Sequence, residues 1–111
     1  MEEKKEGWLK TRMIVELAGA PREHIAQALV IVGEKFGQGI REIKVKKISV
    51  REPQKMEGKE IWTGFLEIYA EIKNIETLIG IIFDYLPSSV EIEEPQELMF
   101  PVAHINGVLN D

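Results

Sequence analysis

Residues 61–98 change from strand periodicity to helix periodicity and back, and this change constrains the fold more than any other feature of the sequence. In the first part, apolar residues recur on one side of a two-residue alternation, which is typical of a half-buried strand. These residues are Trp62, Leu66, Ile68, Ala70 and Ile72. The next apolar residues recur at the spacing of one helix face. They are Ile75, Leu78, Ile79, Ile82, Tyr85 and Leu86. Pro87-Ser88-Ser89 ends this helix, and Val90 and Ile92 resume the alternation of a strand.

The first half of the chain contains the same kinds of element. Residues 8–18 alternate, which predicts a strand with an inward and an outward set of side chains. The inward set is Leu9, Met13, Val15 and Leu17, and the outward set is Trp8, Lys10, Arg12, Ile14 and Glu16. Pro21 suits the first turn of a helix, because its missing N–H is not needed there. That helix is predicted to run to about residue 36, with Gly37-Gln38-Gly39 as a left-handed exit.

A second strand, predicted to begin near Ile40, changes phase along its length. Ile43 and Val45 alternate in one phase, and Ile48 and Val50 alternate in the opposite phase. One residue inserted at Lys46-Lys47 produces such a change, so we predict a β-bulge there. An edge strand that stops being buried on one side is the alternative. Residues 53–59 then predict a polar hairpin connection.

The resulting order is strand, helix, strand, strand, helix, strand, followed by a helix that Pro101 opens. With right-handed crossovers, this order predicts an α+β fold, a ferredoxin-like βαββαβ sandwich. Its four-stranded antiparallel sheet carries two helices on one face, and the C-terminal helix is an addition. We divide the chain into a flexible N-terminus at 1–7, a ferredoxin-like domain at 8–98 and a helical tail at 99–111.

One segment, residues 78–98, resembles a known family. Its helix ends in Ile82-Phe83-Asp84-Tyr85-Leu86, and after a turn the strand reads Val90-Glu91-Ile92-Glu93-Glu94-Pro95-Gln96-Glu97-Leu98. This segment is similar to the close of the C-terminal extension of WYL-type bacterial transcriptional regulators. The resemblance implies a ferredoxin-like domain with a part in ligand sensing or oligomer contacts. The chain shows neither a helix-turn-helix module nor a WYL barrel, so a regulatory role would require a separate partner.

Composition points to an ordinary globular protein of one domain. The 111 residues are 44% hydrophobic and 30% charged. No apolar run approaches the roughly 20 residues that span a bilayer, and residues 1–6 lack the apolar core of a secretory signal. The absence of cysteine excludes disulfides and thiolate chemistry. We therefore expect a cytoplasmic protein with no membrane partner, and the frequent Glu, Lys and Ile residues favour a thermophilic source.

The net charge of −5 conceals an uneven distribution. Thirteen of the fourteen basic residues lie in positions 1–60, which leaves Lys73 as the only one beyond them. The nineteen acidic residues divide almost evenly, with ten in positions 1–60 and nine in 61–111. The simple interpretation is a folded domain whose edges differ in charge. The alternative is that acidic and basic edges of neighbouring copies meet in an oligomer.

The sequence predicts no metal, cofactor or catalytic residue. His24 and His104 have no ligand spacing, and no cysteine supports a zinc site. If either histidine has a role, His104 is favoured, because the tail helix is expected to cover the open face of the sheet. A cluster of carboxylates could hold a hard cation, but no loop gathers its members to one point. It consists of Glu91, Glu93, Glu94 and Glu97, which we interpret as a solvated acidic edge.

The outward face of the predicted sheet carries more apolar side chains than a solvent-exposed surface usually does. Ile14, Phe65 and Tyr69 project from strands expected to be central, and burying a side chain of this size contributes about 1.5–3 kcal/mol. The first helix adds an apolar stripe at 26, 30 and 33. We therefore predict a non-enzymatic homo-oligomer, a homodimer or larger, that binds a small ligand or a protein partner. The predicted ligand or interface residues are Arg12, Ile14, Phe65, Tyr69 and His104, with Lys10 beside them.

Two other functions remain open. A small enzyme could form a site between subunits with Glu67, Tyr69 and His104 as acid–base groups. The third hypothesis is an RNA-binding platform, because residues 63–69 partly resemble the third strand of an RNA-recognition motif. Glu67 stands where that motif has its second aromatic residue, and Thr63 where it has a basic one. A carboxylate there repels phosphates, so nucleic acid is disfavoured as a partner.

Overall fold

The computed structural model describes residues 7–95. The predicted element order is confirmed within this range. The elements are β1 (Leu9–Gly19), α1 (Arg22–Lys35), β2 (Ile43–Lys55), β3 (Trp62–Ile72), α2 (Ile75–Tyr85) and β4 (Ser89–Glu94). Two predicted segments lie outside the described residues. They are the helix that begins at Pro101, which includes His104, and the N-terminal segment as far as residue 6.

The four strands form one antiparallel sheet in the order β2-β3-β1-β4. Each strand–helix–strand unit therefore crosses over a central strand, which gives the ferredoxin-like arrangement that the sequence predicts. β1 and β3 are central and pair along their whole length, from Leu9 opposite Ile72 to Gly19 opposite Trp62. No helix among residues 7–95 is long and apolar enough to cross a membrane.

The core lies between the sheet and the two helices. It takes the inward side chains of the central strands and the buried side of each helix. These include Leu9, Met13, Val15, Leu66, Ile68, Ala70 and Ile72 from the sheet, and Ile25, Leu29, Leu78 and Ile81 from the helices. Thr11 is fully buried among them, and its hydroxyl donates a hydrogen bond of 2.9 Å to the Ala70 carbonyl oxygen. The hydroxyl is therefore satisfied inside an apolar layer.

Edge strand β2 has the bulge that its sequence predicts. Its pairing with β3 shifts register between Val45 and Lys47, so Lys46 is the inserted residue. Because of this insertion, Ile43 and Ile48 both lie opposite inward residues of β3 despite their odd spacing. The prediction that β2 begins near Ile40 was wrong, because Ile40 belongs to the preceding turn, where its N–H bonds to the Gly37 carbonyl oxygen at 3.2 Å.

The hairpin between β2 and β3 is shorter than predicted. β2 continues to Lys55, and the turn closes with a hydrogen bond of 2.8 Å from the Met56 N–H to the Ile61 carbonyl oxygen. Pro53 is a buried strand residue at a second register shift, between Arg51 and Gln54. Proline is tolerated there because a bulge on an edge strand does not need its N–H.

Helix α2 has defined signals at both ends. The Asn74 side chain accepts a hydrogen bond of 2.8 Å from the Thr77 N–H, which caps the first turn. Leu86 follows the helix in the left-handed conformation, with φ 48°. This cap turns the chain toward β4, and just before that strand the Ser88 N–H donates to the Ile14 carbonyl oxygen at 2.7 Å.

The prediction of an apolar surface stripe at residues 26, 30 and 33 of α1 was partly wrong. Gly33 faces the sheet, where a Cβ would lie 3.6 Å from Ile48 and 3.7 Å from Leu66. The apolar surface residues are instead Ala26, Val30 and Ile31, which together with Gln27 line a shallow groove of about 410 Å³. Val30 and Ile31 are 47% and 49% exposed.

Candidate functional site

The face of the sheet opposite the two helices carries the candidate site, and we call it the open face. Its central part is formed by the outward side chains of β1 and β3. These are Lys10, Arg12, Ile14 and Glu16 from β1, and Phe65, Glu67, Tyr69 and Glu71 from β3. The register places Arg12 opposite Tyr69 and Ile14 opposite Glu67. Directly opposed side chains in an antiparallel pair are in contact range, so this register assembles the site.

A hydrogen-bonded triad occupies the centre of the open face. Arg12 Nε donates to Glu67 Oε2 at 3.1 Å and to Tyr69 Oη at 3.2 Å. The Tyr69 hydroxyl donates to Glu67 Oε1 at 3.1 Å, and Arg12 Nη2 forms a close ion pair with Glu67 Oε2. The side chains of Arg12 and Glu67 are 32% and 17% exposed. Each member holds the other two, so the triad fixes three side chains on one surface.

The triad also shifts the pKa values of its two charged members, Glu67 and Arg12. The Arg12 hydrogen bonds lower the pKa of the Glu67 carboxyl below its ordinary value, and the Tyr69 hydroxyl adds to this effect against partial burial. The Glu67 and Tyr69 bonds raise the pKa of Arg12. Glu67 is therefore a carboxylate and Arg12 a cation at neutral pH, and their charges cancel locally.

Two further ion pairs border the triad. Arg12 Nη1 lies 3.7 Å from Glu91 Oε2 on β4. On the other side, Lys46 Nζ lies 3.8 Å from Glu71 Oε1. Glu71 has a side chain only 14% exposed, and its second oxygen, Oε2, is buried without a hydrogen-bond donor among the described residues. Burial of a carboxylate oxygen without a donor is costly, so this oxygen lowers the stability of the fold locally.

The hairpin end of the open face is a shallow depression next to Phe65. The guanidinium of Arg51 lies 6.0 Å from the centre of the Phe65 ring, within range of a cation–π contact. The depression has a volume of about 280 Å³ and is lined by Arg51, Glu52, Gln54, Thr63 and Phe65. This volume is just below the lower limit of the range of roughly 300–1,000 Å³ that is typical of ligand pockets.

Four of the five predicted site residues share the open face. Arg12 and Tyr69 are bonded to each other, Ile14 lies opposite Glu67, and Phe65 is two residues from Glu67 on the same side. The apolar members are half-buried and lie beside a polar centre. The open face is therefore less apolar than the sequence pattern indicates. His104 lies outside the described residues, so its predicted place near this face stays a prediction.

Sequence reasoning missed Arg51 and Lys46 as parts of this face. Both lie on β2, where the bulge between Val45 and Lys47 decides which of the following side chains face outward. Their contribution depends on the register of β2 against β3.

The described residues hold no group of three or more His, Cys, Asp or Glu side chains arranged to bind a metal ion. Of the predicted acidic edge, Glu91 pairs with Arg12, and Glu93 Oε1 is buried without a hydrogen-bond partner. Glu97 lies outside the described residues.

Comparison with known proteins identifies a family. Neither the curated proteins nor the solved structures contain a match to this chain, and nothing links it to WYL-type regulators, so that resemblance stays a prediction. The model of the MJ0538 family matches residues 10–111, which include every element described above except the first residue of β1. Since the match spans most of the sequence and the whole open face, the chain belongs to the MJ0538 family.

Proposed function

We propose that this chain is a non-enzymatic, homo-oligomeric binding module whose open face packs on the open face of a second copy. The observation that carries the proposal is the half-buried row of Ile14, Phe65 and Tyr69 around the Arg12–Glu67 pair. Both described helices lie on the other side of the sheet, so among residues 7–95 no helix covers this row.

The size of the open face fits a dimer interface. Four strands spaced by about 4.8 Å, with central strands of 11 residues, give a face of roughly 600–700 Å². A standard interface buries about 800 Å² per partner. The face therefore offers most of the area of a stable interface before any other segment contributes.

The charges of the open face fit a two-fold arrangement. A two-fold axis brings the same patch of both copies together, so a patch must be complementary to itself. The Arg12–Glu67 pair supplies both signs of charge within one patch, already paired and held by Tyr69.

The same geometry argues against the enzyme reading. A general acid or base works best with a pKa near the operating pH. Glu67 is bound by Arg12 and Tyr69, and its pKa is lowered away from neutrality. The depression beside Phe65 is also small for a substrate, at about 280 Å³. Both features favour a contact surface over a reaction site.

RNA binding is likewise disfavoured. Glu67 lies on the open face between Phe65 and Tyr69, as a carboxylate within the surface on which bases would stack. Arg12 neutralises it, which leaves no excess of positive charge at the centre of the face. The proposal also includes a cytoplasmic location and a thermophilic source, both of which rest on composition.

The test is the mass of the full chain in solution. Phe65→Glu places a charge in the half-buried row, so at about 0.5 M salt, where contacts between surface charges are screened, it should convert a dimer to a monomer in size-exclusion chromatography with light scattering. Phe83→Glu is the matched control, because Phe83 is 55% exposed on α2, an element of the opposite layer. It should leave the mass unchanged.

Circular dichroism establishes that both variants are folded before their masses are compared. A wild-type chain that stays monomeric at the highest accessible concentration contradicts the proposal. Equal loss of the dimer in Phe65→Glu and Phe83→Glu also contradicts it, since the contact would then not be specific to the open face. Salt-sensitive retention of single-stranded RNA by the wild-type chain would instead favour the RNA reading.

A further inference from the structure

The two edges of the sheet carry opposite charge. β2, at one edge, contains five basic residues and one acidic residue, Glu52. β4, at the other edge, contains three glutamates and no basic residue. Within residues 7–95 neither strand pairs with a second strand of the sheet, and an outer strand of this kind is a place where a further strand can pair.

The spacing of these charges is the same on both edges. Lys44 and Lys47 are three residues apart, and so are Glu91 and Glu94. In a regular strand, residues three apart point to opposite faces. Here one inserted residue lies between the two charges on each strand. On β2 the register shifts between Val45 and Lys47. On β4, Glu94 and Ile92 pair with the consecutive residues Lys10 and Thr11, so Glu93 is the inserted residue.

These bulges bring all four charges to the open face. Lys44 lies opposite Glu71 and Lys47 opposite Tyr69, both of which are open-face residues. Glu91 lies opposite Arg12 and Glu94 opposite Lys10, which also belong to that face. Both edges therefore present a pair of like charges on the same side of the sheet, with one bulge between them.

The strand directions allow the two edges to meet. Because every neighbouring pair in the sheet is antiparallel, β2 and β4 run in opposite directions. A second copy displaced sideways in the plane of the sheet, in the same orientation, brings its β4 antiparallel to β2. In that alignment Lys44 lies opposite Glu94, and Lys47 lies opposite Glu91. The bulges of both strands then lie between these two charge pairs.

We infer that β2 of one copy pairs with β4 of a second copy, which continues the sheet from protomer to protomer. The same charges oppose pairing of like edges, since β2 against β2 aligns lysines and β4 against β4 aligns glutamates. Each copy has one edge of each kind, so the contact is head-to-tail and gives a ring or a chain of copies.

This contact is separate from the packing of open faces. It uses the strand edges, so a variant that disrupts the face, such as Phe65→Glu, leaves both edges intact. The two contacts also differ in their response to salt, because the edge contact depends on surface charges. Raising the salt from about 0.05 M to about 0.5 M shortens the screening length from over 10 Å to a few ångströms.

The test is charge exchange in the full chain. Lys44→Glu with Lys47→Glu, and Glu91→Lys with Glu94→Lys, should each weaken edge association by about tenfold or more, because attractive pairs become repulsive ones. The chain with all four changes restores opposite charges and should recover association. Mixing the two double variants should recover it as well. Sedimentation velocity at low and high salt measures these species.

Four results would overturn the inference. The first is a wild-type chain with no salt-sensitive species, and the second is a double variant that assembles like the wild type. The third is a folded four-site variant that stays dissociated. The fourth is a pair of folded double variants that do not associate on mixing. If the reversed chains do not fold, the single changes Lys47→Gln and Glu91→Gln serve instead. Each should reduce the salt-sensitive species, and unchanged assembly in both would overturn the inference.

Discussion

At the scale of single residues, β1 and β3 place polar groups in two different surroundings. Thr11 lies in the core, where its hydroxyl is satisfied by one carbonyl oxygen at 2.9 Å. On the other side of the same strands, Glu67 is held by Arg12 and Tyr69 in a surface that is half open to water. The first contact is independent of pH, whereas the second depends on the charge of Glu67.

Glu67→Gln should change how stability depends on pH. The pKa of Glu67 is lowered from 4.5 in the folded chain, so the folded state favours the carboxylate. The resulting stabilisation is fully present above the unfolded value of about 4.5, and it is lost as the pH falls through the lowered folded pKa. The wild type should therefore melt at a higher temperature than Glu67→Gln at pH 7, and the difference should shrink as the pH falls below 4.5.

Thermal melts from pH 7 down to the acid limit measure this effect. Glu16→Gln is the control, because Glu16 is an exposed carboxylate on the same face. A gap in melting temperature between wild type and Glu67→Gln that stays constant down to the lowest pH would contradict the assignment, as would an equal pH dependence in Glu16→Gln.

At the scale of elements, the approach of α1 to the sheet depends on a residue without a side chain. A Cβ at Gly64 would lie 2.6 Å from Leu29 Cδ1 of α1, and 3.4 Å from both the Arg51 carbonyl oxygen and the Pro53 Cα of β2. Leu29 is fully buried and cannot turn into open space. The second bulge of β2 and the helix therefore both pack closely over Gly64.

Gly64→Ala should destabilise the fold by about 1–3 kcal/mol, because the added methyl group overpacks this junction. Gly80→Ala is the matched control, since a Cβ there meets no atom within 4 Å and Gly80 lies within α2. It should stabilise the fold by about 0.4–1 kcal/mol, because alanine loses less backbone entropy than glycine in a helix. Urea unfolding measures both, and a neutral or stabilising Gly64→Ala would contradict the packing.

At the scale of the whole molecule, stability should fall from the centre of the sheet to its edges. β1 and β3 are bonded on both sides and carry most of the buried sheet residues. β2 and β4 are each bonded on one side among the described residues, and β4 has only six residues. Local opening therefore costs least at the edges.

Amide hydrogen exchange in dilute solution should be slowest in β1 and β3 and markedly faster in β2 and β4. If edges of neighbouring copies pair, raising the protein concentration at low salt should slow exchange in β2 and β4 and leave β1 unchanged. Mass spectrometry of peptides from each strand measures this pattern. Edge strands as protected as β1 in dilute solution would contradict the gradient.

The sequence alone determined the elements and their inward faces. Alternation and helical spacing depend on local burial, so Met13, Ile68 and Leu78 were assigned to the core correctly. The phase change at Lys46 even located a bulge, because one inserted residue reverses every later side chain of a strand. Pro53 was assigned to a loop because a proline usually interrupts a strand, and only the second bulge on an edge made room for it.

Tertiary structure decided what the outward residues do. Arg12 and Glu67 are 55 positions apart in the chain, and only the register of β1 against β3 turns them into a pair bonded to Tyr69. The matched charges on β2 and β4 likewise depend on two bulges. A sequence pattern specifies which side of its own strand a residue occupies. Which residues meet across strands is set by register, and register is a property of the assembled sheet.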